Sequence, residues 1–389
     1  MRILSILLLA LITVSSNAHS VNKKKVDCKD IDIKCASTVT ATFDENSTLW
    51  LLWSQNQSLV LQTSTDYGKS YSKPKVIEKI NEPISSRGEN RPKIIVDKDN
   101  IYLSWARPGK KRFTGDVRFS ASYDKGKTFI DPITVNNDQL EIGHSFNEMQ
   151  LQNNHVSLIW LDKREAFWAK KKNQPYLGSA LYKGQWKPEG KQFSNQKLAD
   201  NTCVCCRIAL TTDSDENLVV MWRHIFGDNI RDHALLSEVD NKLQRVSDDN
   251  WKINGCPHQG PGLSIDNDGK RHMVWYTQGN NRKGVFYRSQ SAENFKSSDI
   301  FDFSISDKQN HHPHVLASNN RVDIVWLTFN GEYWDLMRRA SVDSGKSFKS
   351  PEILDSSSDE ADRPFLISDN KRTFVSWHKK GAGYRLIAL

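Results

Sequence analysis

The residues best suited to chemistry are concentrated in one stretch of the chain, from Asn201 to Pro261. This stretch contains four of the six cysteines and three histidines: Cys203, Cys205, Cys206, Cys256, His224, His233 and His258. Thiolate sulfur combined with imidazole nitrogen suits copper or zinc. We therefore predict these seven residues as candidate metal ligands, with copper or zinc as the bound ion.

The same cysteines support a second interpretation, because cysteines of exported proteins commonly form disulfides. One cysteine of the Cys-x-Cys-Cys segment would then pair with Cys256, and a Cys205–Cys206 link is a further option. Cys-x-Cys-Cys is not a standard zinc spacing. The two interpretations are compatible, since one disulfide could coexist with two metal ligands. Cys28 and Cys35 are close in sequence and are predicted to form a local disulfide.

The first eighteen residues have the pattern of a secretory signal peptide. One arginine precedes an apolar run from Ile3 to Val14, and Ser16-Asn17-Ala18 forms a small-x-small cleavage pattern. The apolar run is too short to span a membrane comfortably. We therefore predict an exported protein, periplasmic or secreted, whose mature chain begins at His19 and has no transmembrane anchor.

The composition narrows the class of protein and of partner. The net charge of +8 is modest for 389 residues and the lysines are dispersed, which argues against nucleic-acid binding. We expect a monomer that binds a small molecule, a metal or a glycan. Only 38% of the residues are hydrophobic, yet twelve are tryptophans, a mixture that favours many short, half-buried strands over buried helices.

One unit recurs along the chain: a short apolar strand, a polar turn, and an alternating strand that ends in tryptophan. The repeated tryptophans are Trp53, Trp105, Trp160, Trp222, Trp275, Trp326 and Trp377. Apolar residues two apart precede them, as in Leu49-Leu51-Trp53, which is the period of a strand with one buried face. A repeat of about 50 residues with four short strands predicts an all-β fold, a closed β-propeller of four-stranded antiparallel blades. Seven units predict seven blades, with six as the alternative.

A second phrase, Ser-x-Asp-x-Gly-x-x-aromatic, occurs three times. The copies span 64–71, 122–129 and 341–348, each after a tryptophan strand. The aspartate can accept backbone N–H bonds inside the turn, and the glycine permits a positive φ. These copies resemble the Asp-boxes, or BNR repeats, of the sialidase-like propeller superfamily. The resemblance covers residues 37–389 and implies a propeller fold, but it says little about chemistry.

The domain organisation follows from these patterns. Residues 1–18 are the predicted signal peptide, 19–36 an N-terminal tail and 37–389 the propeller. The last unit has room for only three strands. A strand near 31–36 could complete it and close the ring, which would remove exposed sheet edges.

Propeller topology then groups the loops. The loops that lead into the first strand of each blade share one face with the loops between second and third strands, and we call this the top face. All three segments of the 201–261 stretch fall there, so we expect them to converge beside the central channel. Ligand sites of propellers lie at a channel mouth. The predicted ligand-binding residues of this face are Arg91, His144, Arg207, Arg223, His314 and Arg363.

The resemblance also implies an enzymatic alternative, a glycoside hydrolase of the exo-sialidase type. Sialidases of the superfamily bind a carboxylate with three arginines and use a tyrosine paired with a glutamate, plus an acidic aspartate. The corresponding candidates here are Arg207, Arg223, Tyr333, Glu332 and Asp232, with Asp162 as an alternative acid. The family's Phe/Tyr-Arg-Ile-Pro motif is missing, so the nucleophile is not assigned.

Three functions therefore compete. The favoured one is an exported propeller whose Cys-, His- and Arg-rich loops bind a metal or an acidic glycan at the channel mouth. The others are the exo-sialidase and a protein-interaction propeller whose cysteines form only structural disulfides.

Overall fold

The seven repeated tryptophans all lie on the second strand of a separate antiparallel sheet. The computed structural model describes residues 27–291, 296–359 and 361–389. The predicted signal peptide, 1–18, and the first part of the tail, 19–26, lie outside these residues. The seven sheets form the blades of a closed β-propeller, so the predicted β-propeller fold and its seven blades are confirmed.

The first four blades contain seventeen strands. Their bounds are β1 (Val39–Phe43), β2 (Leu49–Gln55), β3 (Ser58–Ser64), β4 (Lys75–Val76), β5 (Lys93–Asp97), β6 (Asn100–Pro108), β7 (Gly115–Ser122), β8 (Ile133–Thr134), β9 (His144–Gln152), β10 (His155–Asp162), β11 (Ser179–Lys187), β12 (Gln192–Phe193), β13 (Gln196–Thr202), β14 (Ala209–Thr212), β15 (Leu218–Arg223), β16 (His233–Ser237) and β17 (Gln244–Arg245).

The last three blades contain eleven strands. Their bounds are β18 (Gly262–Ile265), β19 (Arg271–Gln278), β20 (Lys283–Gln290), β21 (Phe301–Asp302), β22 (Gln309–Ser318), β23 (Arg321–Phe329), β24 (Trp334–Ser341), β25 (Glu352–Ser357), β26 (Phe365–Ser368), β27 (Thr373–Lys379) and β28 (Gly383–Ala388). The described residues also form one α-helix, α1 (Arg164–Lys171), and two short 3-10 helices, Ile33–Cys35 and Pro188–Gly190. No helix in the described part of the chain is both long and apolar enough to cross a membrane.

The core lies between the blades. Each of the seven tryptophans is at most 1% exposed, because the alternating second strands turn them toward neighbouring sheets. The first strands β1, β5, β9, β14, β18, β22 and β26 pack side by side around the axis, and β26 meets β1 to close the ring. The third blade carries an insertion with α1 after β10 and an extra strand, β13, which pairs with β11.

The Asp-box turns connect third and fourth strands, as expected. In the first turn the Asp66 carboxylate accepts hydrogen bonds from the Ser70 backbone N–H at 2.9 Å and from its hydroxyl. Hydrogen bonds from the Ser70 side chain and backbone lower the pKa of Asp66 to about 2. The carboxylates of Asp124 and Asp343 are held in the same way. These turns are satisfied internally and lie on the face opposite the candidate site.

The last blade has three strands, and the expected fourth strand near 31–36 is a 3-10 helix instead. The Asp32 side chain accepts from the Lys34 N–H, and a disulfide joins Cys28 to Cys35, as predicted. This short closed loop bends the chain too tightly for an extended strand. It nevertheless packs against the last blade, where a His378 ring nitrogen lies 3.0 Å from the Ile33 carbonyl.

Candidate functional site

Three loops of the 201–261 stretch meet on the top face. They lead from β13 to β14, from β15 to β16, and from β17 to β18. Backbone hydrogen bonds join them: the Cys203 N–H donates to the Arg223 carbonyl at 2.9 Å, and the Arg231 N–H donates to the Trp251 carbonyl at 2.9 Å. The predicted convergence of these loops on one face is therefore what the structure shows.

The sulfur atoms of the Cys-x-Cys-Cys segment form a buried triad. The Sγ atom of Cys203 lies 3.3 Å from that of Cys206 and 3.8 Å from that of Cys205, and all three side chains are buried. The disulfides considered for these residues and Cys256 are absent, because all four are free thiols. Hydrogen bonds from Cys205 and Cys206, helped by the charges of Arg223 and Arg231, hold the pKa of Cys203 well below its usual range.

A second group shares one member with the first. The Cys205 sulfur, the Cys256 sulfur and an imidazole nitrogen of His258 all lie within 4.8 Å of one another. Cys256 and His258 are exposed, whereas Cys205 is buried. Five of the seven predicted metal ligands thus form two overlapping triads that extend from the interior to the surface.

The two remaining predicted ligands lie outside both triads. The His224 ring packs against Phe226 at 4.5 Å between centroids, and burial lowers its pKa to about 4. His233 is completely buried on β16, where burial followed by the charge of Arg223 holds its pKa well below the usual range. These are neutral imidazoles packed between strands.

A carboxylate closes the channel mouth. Glu89, from the loop before β5, accepts hydrogen bonds from the backbone N–H groups of Arg207 and Gly260, and it lies 3.3 Å from the Nδ1 atom of His312. These partners belong to the fourth, fifth and sixth blades, so the side chain reaches across the axis. A Cβ atom on Gly260 would lie 2.7 Å from the Arg207 carbonyl oxygen, which explains the glycine at this close approach.

Below this closure lies a cavity of about 200 Å³ between the first strands. Its lining includes Arg91, Lys93 and Glu148. Arg91 binds Asp362 in a bidentate ion pair, and Lys93 binds Glu148 at 2.5 Å. Burial, followed by the charges of nearby basic residues, holds the pKa of His314 well below its usual range. Arg91, Lys93 and Glu148 thus have ion-pair partners within the protein.

Three of the predicted ligand-binding arginines are consequently engaged in joining blades. Arg91 is 2% exposed and bound to Asp362. Arg207 donates to the carbonyl oxygens of Pro261 and Pro313, and Arg223 donates to those of Gln259 and Tyr276. Their guanidinium groups act as cross-links, a role that residue type alone does not distinguish from carboxylate binding.

The residues assigned from the sialidase resemblance do not assemble into one site. Asp232 is buried and paired with Arg245 at 2.5 Å, and it also accepts from the Asn250 N–H. Glu332 and Tyr333 lie in the exposed turn between β23 and β24, on the sixth blade. None of these three lines the cavities found on the top face.

His144 and the alternative acid Asp162 belong to a buried ionic cluster. The His144 Nδ1 atom lies 2.7 Å from the Gly115 carbonyl oxygen, and Nε2 lies 2.9 Å from Asp138. Burial opposes the charged imidazolium, but the hydrogen bond to Asp138 and the nearby carboxylates raise its pKa. Arg164 forms ion pairs with both Asp138 and Asp162. The two carboxylates are therefore already paired with cationic side chains of the protein.

The open space on the top face lies beside the closed mouth, over the first three blades and the last one, and it reaches the loops that lead into β14 and β18. Two adjoining cavities of about 780 and 890 Å³ share several lining residues, including Arg87, Phe113 and His258, and we call them together the cleft. Cys205, Cys256 and His258, which we call the outer triad, line the larger of the two cavities.

The cleft is strongly basic. Six basic side chains line it: Arg87, Arg107, Arg112, Lys163, Arg363 and Lys380. Within the described part of the chain, the acidic residues that line it are Glu89 and Asp362, both buried and already paired. Among the described residues, no carboxylate lies within ion-pair distance of Arg87, Arg112 or Arg363, whereas Arg107 is paired with Asp116. Of the predicted ligand-binding residues only His144 and Arg363 line this space.

Two phenylalanines of the cleft have unusual backbone conformations. Phe113 has φ +63° and is 71% exposed, and Phe146 has φ +55°. A positive φ is strained for a bulky residue and points to a function of the side chain. The Cζ atom of the Arg112 guanidinium lies 4.5 Å from the centroid of the Phe113 ring. Neither phenylalanine was predicted, because no local sequence pattern marks an aromatic at a positive φ.

No known sequence family and no curated protein sequence matches the chain. Solved structures do match its fold. The BP39L lectin from Burkholderia pseudomallei has a TM-score of 0.59 at 9% identity, with 92% of this chain and 100% of the lectin covered. A family PL25 ulvan lyase bound to -[GlcA(1-4)Rha3S]- has a TM-score of 0.54 at 10% identity, with 92% and 94% covered. The polysaccharide lyase Uly1 has a TM-score of 0.52 at 10% identity, with 96% and 92% covered. At this identity the similarity establishes the propeller fold.

Proposed function

We propose that the protein binds an acidic glycan, carrying carboxylate or sulfate groups, in the cleft of the top face. The observation that carries this proposal is the charge of the cleft, six basic residues against two acids that are already neutralised. Guanidinium groups without internal partners suit carboxylate and sulfate oxygens, because they donate paired hydrogen bonds. The cleft is large enough for several sugar units.

The exposed ring of Phe113 completes the binding surface. Sugar rings present apolar C–H faces, and an exposed aromatic ring supplies a matching flat apolar surface at low conformational cost. Arg112 lies beside this ring and Lys163 lies 5.8 Å from its centroid. One sugar could therefore stack on Phe113 while its acidic substituent contacts the neighbouring cations.

The names of the structural relatives agree with this proposal without establishing it. One is a lectin and two are polysaccharide lyases, and the ulvan lyase was solved with a glucuronate and sulfated-rhamnose ligand. We also propose that the protein acts after export, on the basis of the leader pattern in residues 1–18. N-terminal sequencing of the exported protein should begin at His19.

We do not propose the exo-sialidase reaction, because no described feature favours it over binding. Asp232 is locked to Arg245, and the Glu332–Tyr333 turn lies away from the cleft. The third alternative, a protein-interaction propeller held by disulfides, loses its central premise, since the four cysteines of the 201–261 stretch are free thiols.

Calorimetric titration tests the glycan proposal. The probes are a glucuronate–rhamnose-3-sulfate oligosaccharide and its desulfated, carboxyl-reduced counterpart. We expect binding of the acidic probe only, and weaker binding at high salt because ionic contacts are screened. The double variant R87A/R112A should bind at least about tenfold more weakly, since each lost charged hydrogen bond contributes about 1.5–3 kcal/mol.

The matched control removes two positive charges from the opposite face. Lys69 and Lys346 lie in exposed Asp-box turns, so K69A/K346A has the same net charge as R87A/R112A. Equal losses of affinity in the two variants would show nonspecific electrostatic attraction and contradict the proposed site. Equal binding of the neutral probe would contradict the acidic specificity.

A further inference from the structure

The buried sulfur triad has the dimensions of a metal site. Its Sγ atoms are 3.3 and 3.8 Å apart for the pairs Cys203–Cys206 and Cys203–Cys205, and all three lie within 4.8 Å of one another. An ion about 2.3 Å from three thiolate sulfurs holds those sulfurs roughly 4 Å apart in a trigonal plane. Small side-chain rotations would therefore be enough to place a metal among them.

The number of donors indicates which metal. Among the described residues, no fourth Cys, His, Asp or Glu ligand atom lies within 4.8 Å of all three sulfurs. Structural zinc is almost always tetrahedral with four protein ligands. Copper(I) is a soft d10 ion that accepts two or three thiolates, so three sulfurs alone satisfy it. From this geometry we infer that Cys203, Cys205 and Cys206 form a copper(I) site, a function independent of glycan binding.

The protein supplies the charge that such a site needs. When three thiols bind copper(I), each releases its proton to solvent, and the centre carries a net charge of −2. The Arg231 Nη1 atom lies 3.5 Å from the Cys203 sulfur, and it is held there by a 2.7 Å hydrogen bond to the Gly255 carbonyl. A buried anion requires a nearby cation, and this guanidinium is in position.

The outer triad provides the route of entry. Cys256 and His258 are exposed in the cleft and form their own triad with Cys205. An ion captured by these three donors can exchange Cys256 and His258 for Cys203 and Cys206 while it stays bound to Cys205. No change of oxidation state occurs in this transfer: Cys203 and Cys206 each release a thiol proton to solvent as they bind, and the Cys256 sulfur takes one up when it is released. Cys256 and His258 are therefore loading ligands, and the buried triad is the final site.

Copper(I) titration of the reduced protein under anaerobic conditions tests the inference, with bathocuproine disulfonate as the competing chelator. We expect one copper(I) per chain to resist the chelator, and X-ray absorption to show three sulfur neighbours. C206S should weaken retention by more than about 100-fold, because loss of a direct ligand exceeds the usual cost of an outer-shell change. The matched control is H224A, which removes an imidazole of the same stretch outside both triads and should retain copper fully.

The loading route has a separate readout. C256S/H258A should reach the same stoichiometry and affinity as the wild type, but it should load at least about tenfold more slowly in stopped-flow measurements. Both residues are exposed, so this variant should fold even if C206S does not. Loss of the final copper in C256S/H258A, with C206S unaffected, would overturn the assignment of the buried triad.

Other results would also overturn the inference. These are complete removal of copper by the chelator, nitrogen or oxygen neighbours in place of three sulfurs, or disulfides among the four thiols in protein purified without reductant. The result is separable from the glycan proposal: R87A/R112A should bind copper normally, and the metal-free protein should bind the acidic glycan normally.

Discussion

The arginines of the channel mouth and those of the cleft differ in what satisfies their guanidinium groups. Arg91 and Arg207 are buried and bonded to Asp362 and to backbone carbonyls of neighbouring blades. Arg87 and Arg112 are exposed on the cleft, without a carboxylate partner in the described residues. The comparison shows that an arginine on the top face is either a structural cross-link or a candidate ligand contact, depending on whether its guanidinium already bonds to groups of another blade.

Removing the Arg91–Asp362 ion pair at the channel mouth should have the largest effect on stability. R91A leaves the Asp362 carboxylate buried and unpaired, so we expect unfolding free energy to fall by about 3–5 kcal/mol. Urea unfolding followed by tryptophan fluorescence measures this loss. The double variant R91A/D362A should be less destabilised than R91A, because it no longer contains the buried, unpaired Asp362 carboxylate. A loss in R91A no larger than that of a surface substitution would contradict the cross-link role.

Glu89 should make the stability of the protein depend on pH. Burial alone would raise its pKa, but the hydrogen bond to His312 and the charges of Arg207 and nearby groups hold it well below the usual range. A depressed carboxyl pKa contributes stability that is present above the unfolded pKa of about 4.3 and is lost as the pH falls below it.

E89Q should therefore be less stable than the wild type at pH 7, by about 1–3 kcal/mol. The difference should shrink as the pH is lowered below about 4.3, where the wild type alone loses this contribution. Thermal unfolding measured from pH 7 down to pH 3 provides the comparison. Parallel curves for the two proteins would show that Glu89 is not the ionised carboxylate described here.

Substitutions of Phe113 should weaken glycan binding without lowering the stability of the fold. Glycine tolerates the φ of +63°, so F113G relieves strain of about 1 kcal/mol, partly offset by chain entropy. We expect unchanged or slightly higher stability together with weaker glycan binding. F113A is the control, since it loses the ring but keeps the strained backbone. Wild-type glycan affinity in both variants would exclude the ring from the site.

The cleft arginines should have the smallest effect on stability. R87A/R112A should change the free energy of unfolding by no more than about 0.5 kcal/mol, because neither exposed side chain joins blades. The same urea measurement as for R91A tests this. A loss of several kcal/mol would show that Arg87 and Arg112 join blades as Arg91 does, and it would contradict the distinction between the cleft and the channel mouth.

Much of the architecture could be predicted from local sequence. The alternation around Trp53 or Trp326 reports which strand face is buried, and the Ser-x-Asp-x-Gly turns form through contacts within eight residues. The strand expected near 31–36 is a 3-10 helix instead, because the Cys28–Cys35 disulfide and the Asp32 cap hold this segment in a tight local turn.

The candidate site was only partly predictable. Topology correctly brought Cys205, Cys256 and His258 together, because it depends only on which strands each loop connects. Topology could not exclude His224 and His233, since the direction of each side chain depends on its packing, against Phe226 for His224 and against Trp275 for His233. The Arg87 and Phe113 cleft was missed because exposure is a property of the folded surface.

The sequence by itself determined the repeat, the seven blades and the face on which the reactive loops lie, because strand periodicity and chain connectivity are local properties. Only the tertiary structure decided which charges remain for a ligand. Glu89 and Arg91 find their partners more than a hundred residues away, so their saturation depends on distant blades. The same distant contacts close the axial mouth and move the open site to the cleft beside it.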